Sequence, residues 1–293
     1  MTRLSLLERV LLCYGTNLPE HPRKWWLHGR LREWLGVRVE GEIEVVRDGL
    51  KWSLNPADYA RQNLFWLGTK DPWDLFHLRR LLKIGDVIFD LGANFGFYAL
   101  SLATALNRSC QVYALEPDPA NFERLCRHIA WNDLEGVIRA HCLGVSDHHD
   151  TVTMTRHGEN SGHTAVVTDG EIKGVTLTTL DAFCQEQELN RLDAMILDVE
   201  GFEERALKGS ERTVARFKPL VLVELFPPVM ERQGSNPEAA ARVLTTLGYE
   251  LFVARRHRLE PLAVMPVGDQ RENVFAFHRD RSPDLLNSFQ AKG

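Results

Sequence analysis

The sequence predicts an α/β fold: a mostly parallel sheet with helices on both faces, an antiparallel hairpin at one edge, and a helical and hairpin extension before it. Three observations predict this. Short, continuous apolar segments at 87–89, 112–115, 194–197 and 220–225 alternate with helical stretches, as strands buried on both faces do. Several of these segments stop at an acidic residue (Asp90, Glu116, Asp198, Glu224) with glycine or proline close behind. The last two strand segments are joined without a helix, which makes them antiparallel neighbours.

The elements follow in order. Residues 1–34 read as helical, with Trp25, Trp26 and Trp34 as anchors. Glu8 and Arg9 interrupt the first apolar run and no small-residue cleavage site follows, so an amphipathic helix is expected rather than a signal peptide. It either packs on the domain or touches a membrane or partner. Residues 37–39 and 43–46 have strand character, Asp48-Gly49 is a turn pair, and 50–54 alternates, which is a hairpin signal. A helix over 74–82 and a turn over 83–86 feed the first core strand. Strands are expected at 112–115, 138–143, 194–197, 220–225, 250–254 and 273–277, with short additional strands at 151–155 and 175–178. Helices are expected from Phe97 and over 121–131, 203–217 and 237–247. The expected division is an extension over 1–75, an α/β domain over 76–280 and a tail over 281–293.

Composition narrows the function. The chain has 293 residues and a formal net charge of −5, with no basic tail, which disfavours nucleic acid as a partner. No apolar run reaches the length of a membrane span. The five cysteines, Cys13, Cys110, Cys126, Cys142 and Cys184, are odd in number and form no C-x-x-C pair. That argues against a disulfide framework or zinc site and for a reducing, cytoplasmic compartment.

The chemistry gathers at the strand ends. Asp90-Leu91-Gly92-Ala93-Asn94-Phe95-Gly96 has the spacing D-x-G-x-x-x-G, not the G-x-G-x-x-G of dinucleotide folds. The glycines allow close backbone approach, and the helix that follows offers free N–H groups. A carboxylate at Asp90 repels a pyrophosphate and attracts a cation. S-adenosylmethionine, with its ammonium and sulfonium, suits such a turn; a tight strand–helix turn without a ligand is the alternative. Glu116, followed by Pro117 and Asp118, stands where an acidic residue accepts both ribose hydroxyls. Val145 and Ser146 follow the third strand, where an adenine edge would lie. Asp198 and Glu200 end a buried run, where two carboxylates are costly unless used. Asp198 would position the donor or acceptor, and Glu200 would face the acceptor or hold a cation. Glu224 would complete an acidic floor.

Asp198, Glu200 and Glu224 are ligands of the type magnesium prefers, but their spacing matches no metal signature, so a divalent cation is possible and not expected. His163, in a polar loop, is a second candidate base for a hydroxyl. His141 reads as a core residue, and His148-His149 as an exposed turn.

These residues resemble the FkbM family of methyltransferases. The resemblance rests on Asp90–Gly96, on Glu116-Pro117-Asp118-Pro119 with Phe122 and Leu125, on Asp198-Val199-Glu200-Gly201 with Leu207-Lys208-Gly209, and on Pro219 through Val223-Glu224. It covers residues 56–277. It implies a class I methyltransferase (Rossmann-like) fold with a seven-stranded sheet and O-methylation from S-adenosylmethionine. The acceptor would be a small molecule or glycan with a free hydroxyl: a sugar, glycolipid, polysaccharide or natural product. It also implies that Gly92, Asn94 and Gly96 contact the methionine part, Glu116 the ribose and Asp198 the sulfonium region. The family's upstream Tyr-Glu pair is missing, and Asp71 or Asp74 stands nearby. A non-catalytic S-adenosylmethionine-binding module, an RNA or protein methyltransferase and a nicotinamide-dependent oxidoreductase are the competing readings. The Asn-Pro-Pro-Tyr sequence of amino-group methylation is absent, and Asp198-Val199-Glu200-Gly201 stands in its place. An oligomer is possible.

Overall fold

Local chain chemistry sets most of the elements. The computed structural model describes residues 4–18, 23–39, 41–156, 164–167 and 171–282. The chain divides into two units: Met1–Pro72 makes up most of the first, and Trp73–Thr155 with Thr164–Gly293 the second.

In the first unit, α1 (Leu6–Asn17) starts at a capping box: the Ser5 hydroxyl accepts the Glu8 N–H, and the Glu8 carboxylate accepts the Ser5 N–H at 2.6 Å, so two orphan donors are satisfied reciprocally. Next comes α2 (Lys24–Trp34). Strands β1 (Ile43–Arg47) and β2 (Leu50–Leu54) form the expected hairpin around Asp48 and Gly49, both at positive φ, as a primed turn demands. The strand expected at 37–39 does not form. Helix α3 (Tyr59–Leu67), capped by Asp58 and ended by left-handed Gly68, is not among the expected elements. Gly15 lets α1 approach α3: a Cβ there would stand 2.0 Å from the Trp66 carbonyl oxygen.

The second unit runs α4 (Pro72–Leu81), β3 (Val87–Leu91), α5 (Phe97–Ala105), β4 (Gln111–Leu115), α6 (Pro119–Trp131) and β5 (Ile138–His141). Then come β6 (Gly144–Val145), β7 (Asp150–Arg156), β8 (Thr164–Val167), β9 (Ile172–Thr178), α7 (Leu180–Glu186) and β10 (Ala194–Leu197). The chain continues through α8 (Glu203–Lys208), α9 (Glu211–Phe217), β11 (Leu220–Leu225), α10 (Pro227–Arg232) and α11 (Pro237–Thr246) to β12 (Tyr249–Arg255), β13 (Arg258–Pro261) and β14 (Glu272–His278).

The main sheet has the order β13-β12-β14-β11-β10-β3-β4-β5. β11, β10, β3, β4 and β5 are mutually parallel, and β14 runs antiparallel to both β11 and β12. The sheet thus has eight strands, not the expected seven. The extra strand is β13, produced by a tight return at Arg256 (φ 55°) that pairs Arg255 with Arg258. Only Leu259 of its four residues is buried, so it left no apolar signature. The short strands expected at 151–155 and 175–178 fall in a separate sheet, β6-β9-β7-β8. The single helix expected over 203–217 breaks at Gly209, where a Cβ would stand 2.0 Å from the Ser146 carbonyl oxygen. Phe89, Tyr113 and Phe183 meet edge to face on one side of the sheet, while Ile88, Val112 and Leu125 are fully buried, so both faces are covered.

Candidate functional site

Parallel pairing puts the C-terminal ends of the central strands on one edge. Leu91 pairs with Leu115 and with Leu197, and Leu197 with Val223. Asp90, Glu116, Asp198 and Glu224 therefore come from four adjacent strands to one lip, where ligands of open α/β sheets bind.

The first turn is held by the second strand. The Gly92 and Ala93 amides donate to the Leu115 carbonyl at 2.9 and 3.0 Å. The Asn94 amide donates to Glu116 Oε2 at 2.7 Å. Gly92 (φ 81°), Asn94 (φ 50°) and Gly96 (φ 92°) are all left-handed. A Cβ on Gly92 would lie 1.9 Å from the Asp198 carbonyl oxygen, and one on Gly96 within 2.6 Å of Leu100 and Leu125. Backbone packing thus accounts for Gly92, and the left-handed φ for Gly96. Ala93 and Phe95 are buried, and the Phe95 carbonyl bonds His128 Nδ1. Asp90, 2% exposed, accepts the Ala99 N–H at 2.9 Å and so caps the start of α5.

Glu116 is buried with each oxygen on a backbone amide: Oε2 on Asn94, and Oε1 on Asp118 at 2.9 Å. Burial pushes its carboxyl up to about 7, although these amides pull the other way. Pro117 is half-buried. Asp118 is fully buried and caps α6 through the Ala120 amide. Val145 and Ser146 are buried too; the Ser146 amide donates to the Thr178 carbonyl, and its hydroxyl bonds Asp147.

The fourth strand end is the most acidic. Asp198 donates its amide to the Leu91 carbonyl at 3.0 Å. Glu200 sits at φ 52°, a conformation that costs a residue with a Cβ about 1 kcal/mol. Gly201 (φ 97°) completes the turn, with Val229 too close for a Cβ. Glu203 holds this loop: its Oε1 accepts the Val199 and Gly201 amides at 3.2 and 3.1 Å, and burial pushes its carboxyl up to about 7. Glu200 is half-buried at the mouth of the cluster. Burial first, then repulsion from Asp198, Glu224 and Glu203, raise its carboxyl well above the ordinary range, and Arg271 opposes them. Arg271 forms an ion pair with Glu224. Asp74 bonds Asn273 at 2.7 Å, and Asn273 lies opposite Glu224 in register.

Sequence reasoning missed two residues here. Arg271 carried no signal, because it approaches from a distant connection. Glu203 stands out in the sequence only as the first residue of the helix expected over 203–217. Asp71, the other candidate for the missing Tyr-Glu pair, faces Lys70 at 3.7 Å. His163 lies outside the described residues. His141 stacks on Tyr113 and meets Phe183 edge on, while His148 is exposed beside Asp147. Among the described residues no cluster of three or more His, Cys, Asp or Glu side chains is set to hold a metal, and no helix is long and apolar enough to cross a membrane.

A sheet in this order, with acidic strand ends along one lip, defines the class I methyltransferase fold. The methyltransferase FkbM domain profile matches residues 90–251, and the chain belongs to that family. It is 26% identical over 196 residues to methyltransferase sdnD of Sordaria araneosa, covering 56% of this chain and 73% of that protein. It is also similar to the crystal structure of methyltransferase FkbM from Methylobacillus flagellatus KT (15% identity, TM-score 0.47), covering 93% of this chain and 58% of that one. M. jannaschii TYW2 in complex with AdoMet is a further similar structure (15% identity, TM-score 0.43; 82% of this chain, 86% of that one).

Proposed function

We propose that this protein transfers a methyl group from S-adenosylmethionine to a hydroxyl of a sugar, glycolipid, polysaccharide or natural product. The donor set suits that cofactor: Glu116 and Asp198, at the ends of β4 and β10, favour a cationic ligand bearing hydroxyl donors, while buried Asp90 holds the start of α5 beside them. When bound, S-adenosylmethionine supplies an activated methyl on a sulfonium. The chain then has to hold an acceptor oxygen in line and remove its proton. Glu116 would accept the ribose hydroxyls, the turn over Gly92, Asn94 and Gly96 would hold the methionine part, and Asp198 would position the donor. The bound donor would supply the methyl that the acceptor oxygen takes, and Glu200 would receive the hydroxyl proton released in the transfer.

The observation that carries this reading is the environment of Glu200. Burial, and then three neighbouring carboxylates, raise its proton affinity, the direction that strengthens a base. All five cysteines are free of disulfides, which favours a reducing, cytoplasmic setting. The test is calorimetric titration with S-adenosylmethionine, followed by labelled-methyl transfer to hydroxylated acceptors. Glu116→Ala should abolish donor binding, and Glu200→Gln should abolish turnover while donor binding stays within about threefold. A well-folded protein that does not bind the donor overturns the reading.

A further inference from the structure

Of the eleven large hydrophobic side chains that stand exposed among the described residues, eight lie in Met1–Pro72. The extremes are on its first two helices: Leu6 and Trp34 are each 80% exposed, and Trp26 is 64% exposed. These positions are ordered by the helices. Leu6 and Val10 stand one turn apart on α1, and Trp26, Arg30 and Trp34 follow at intervals of four along α2, so each set forms one stripe.

The stripes are not needed by the core. The inner sides of the two helices are already matched: His28 bonds the Leu11 carbonyl, stacks on Tyr14 and meets Trp66, and Arg32 lies over the Trp66 ring. A large aromatic left in water at such exposure marks an interaction surface. Charge says which kind. Residues 23–39 carry five cationic side chains and one acidic one, in a chain of net charge −5. Arg23, Arg30 and Arg38 are exposed, Arg30 in an i, i+3 ion pair with Glu33 at 3.0 Å that leaves Arg23 and Arg38 as the excess positive charge. A second copy of the same face would bring like charges together in an isologous contact. Tryptophan interleaved with arginine suits the headgroup layer of an anionic bilayer, where the ring sits at the interface and the guanidinium meets phosphate. Helices of 12 and 11 residues can lie on such a surface but not span it.

We propose that the outer stripes of α1 and α2 dock this protein on an anionic lipid surface. The full chain should co-sediment with vesicles of phosphatidylcholine mixed with phosphatidylglycerol, less with phosphatidylcholine alone, and be released by salt. Trp26→Ser with Trp34→Ser should lower partitioning at least about tenfold. Arg23→Glu with Arg30→Glu should remove the preference for the anionic vesicles. Both double variants should keep the wild-type circular dichroism and S-adenosylmethionine affinity, which separates this proposal from the catalytic one. Absence of vesicle binding, binding that neither double variant changes, or a wild-type dimer that the tryptophan variant converts to monomer would each overturn it.

Discussion

The α-carbon of Gly92 lies against the carbonyl of Asp198: a Cβ at that position would stand 1.9 Å from the oxygen. Two strand-end loops that are far apart in sequence are thereby locked into one lip. Gly92→Ala must also adopt φ 81°, so the variant should lose about 3 kcal/mol or more of stability. Gly49 provides the control, at φ 77° with nothing within 4 Å of its Cβ position; Gly49→Ala should cost about 1 kcal/mol. Urea denaturation of the two variants checks the difference.

Donor affinity should depend on pH through Glu116. Its folded-state carboxyl is pushed up to about 7, so it is mostly protonated at pH 6 and mostly ionised at pH 8. Ribose hydroxyls bond the ionised form. Affinity for S-adenosylmethionine should therefore be about tenfold weaker at pH 6 than at pH 8. Glu116→Gln should bind weakly and without that slope. A flat wild-type profile by calorimetry contradicts the assignment.

Glu203 separates hydrogen bonding from charge. Glu203→Ala leaves the Val199 and Gly201 amides without their acceptor and should cost about 2 kcal/mol or more. Glu203→Gln keeps an acceptor oxygen. The raised carboxyl of the wild type stabilises the fold fully below about pH 4.5, and that contribution is lost as pH rises through about 7. The Gln variant should therefore gain on the wild type between those limits. Parallel denaturation at pH 5 and pH 8 tests the sign.

Arg271 and Glu224 should be coupled. Arg271→Met removes the cation paired with a buried carboxylate and should cost about 3 kcal/mol. Adding Glu224→Gln should restore a large part of that loss. A double-mutant cycle showing simple additivity rules out the coupling.

Much of the fold was legible because local chemistry dictated it. Apolar runs that stop at Asp90, Glu116, Asp198 and Glu224 mark parallel strands, and Asp48-Gly49 marks its own turn. What escaped is what only distant contacts decide. At Gly209, where the helix breaks, only a glycine lets the backbone meet Ser146. β13 exists because β12 offers it an edge. The same holds at the site: Asp90 is engaged in capping α5 at Ala99, an acceptor role invisible at a separation of nine residues, and Arg271 reaches Glu224 across two strands that meet only in the sheet.

The position of β14 governs when the site can form. The last strand among the described residues is inserted between β11 and β12, so β11, which carries Glu224, lacks one neighbour until residues 272–278 have emerged. A chain still being synthesised has the glycine turn and all five parallel strands at hand, but an open edge beside its acidic cluster. Arg271 and Asn273 arrive with the strand that closes it. Completion of the sheet beside Glu224 is therefore a late event of long contact order, and the segment that closes the edge also brings the counter-charge, Arg271, to that carboxylate.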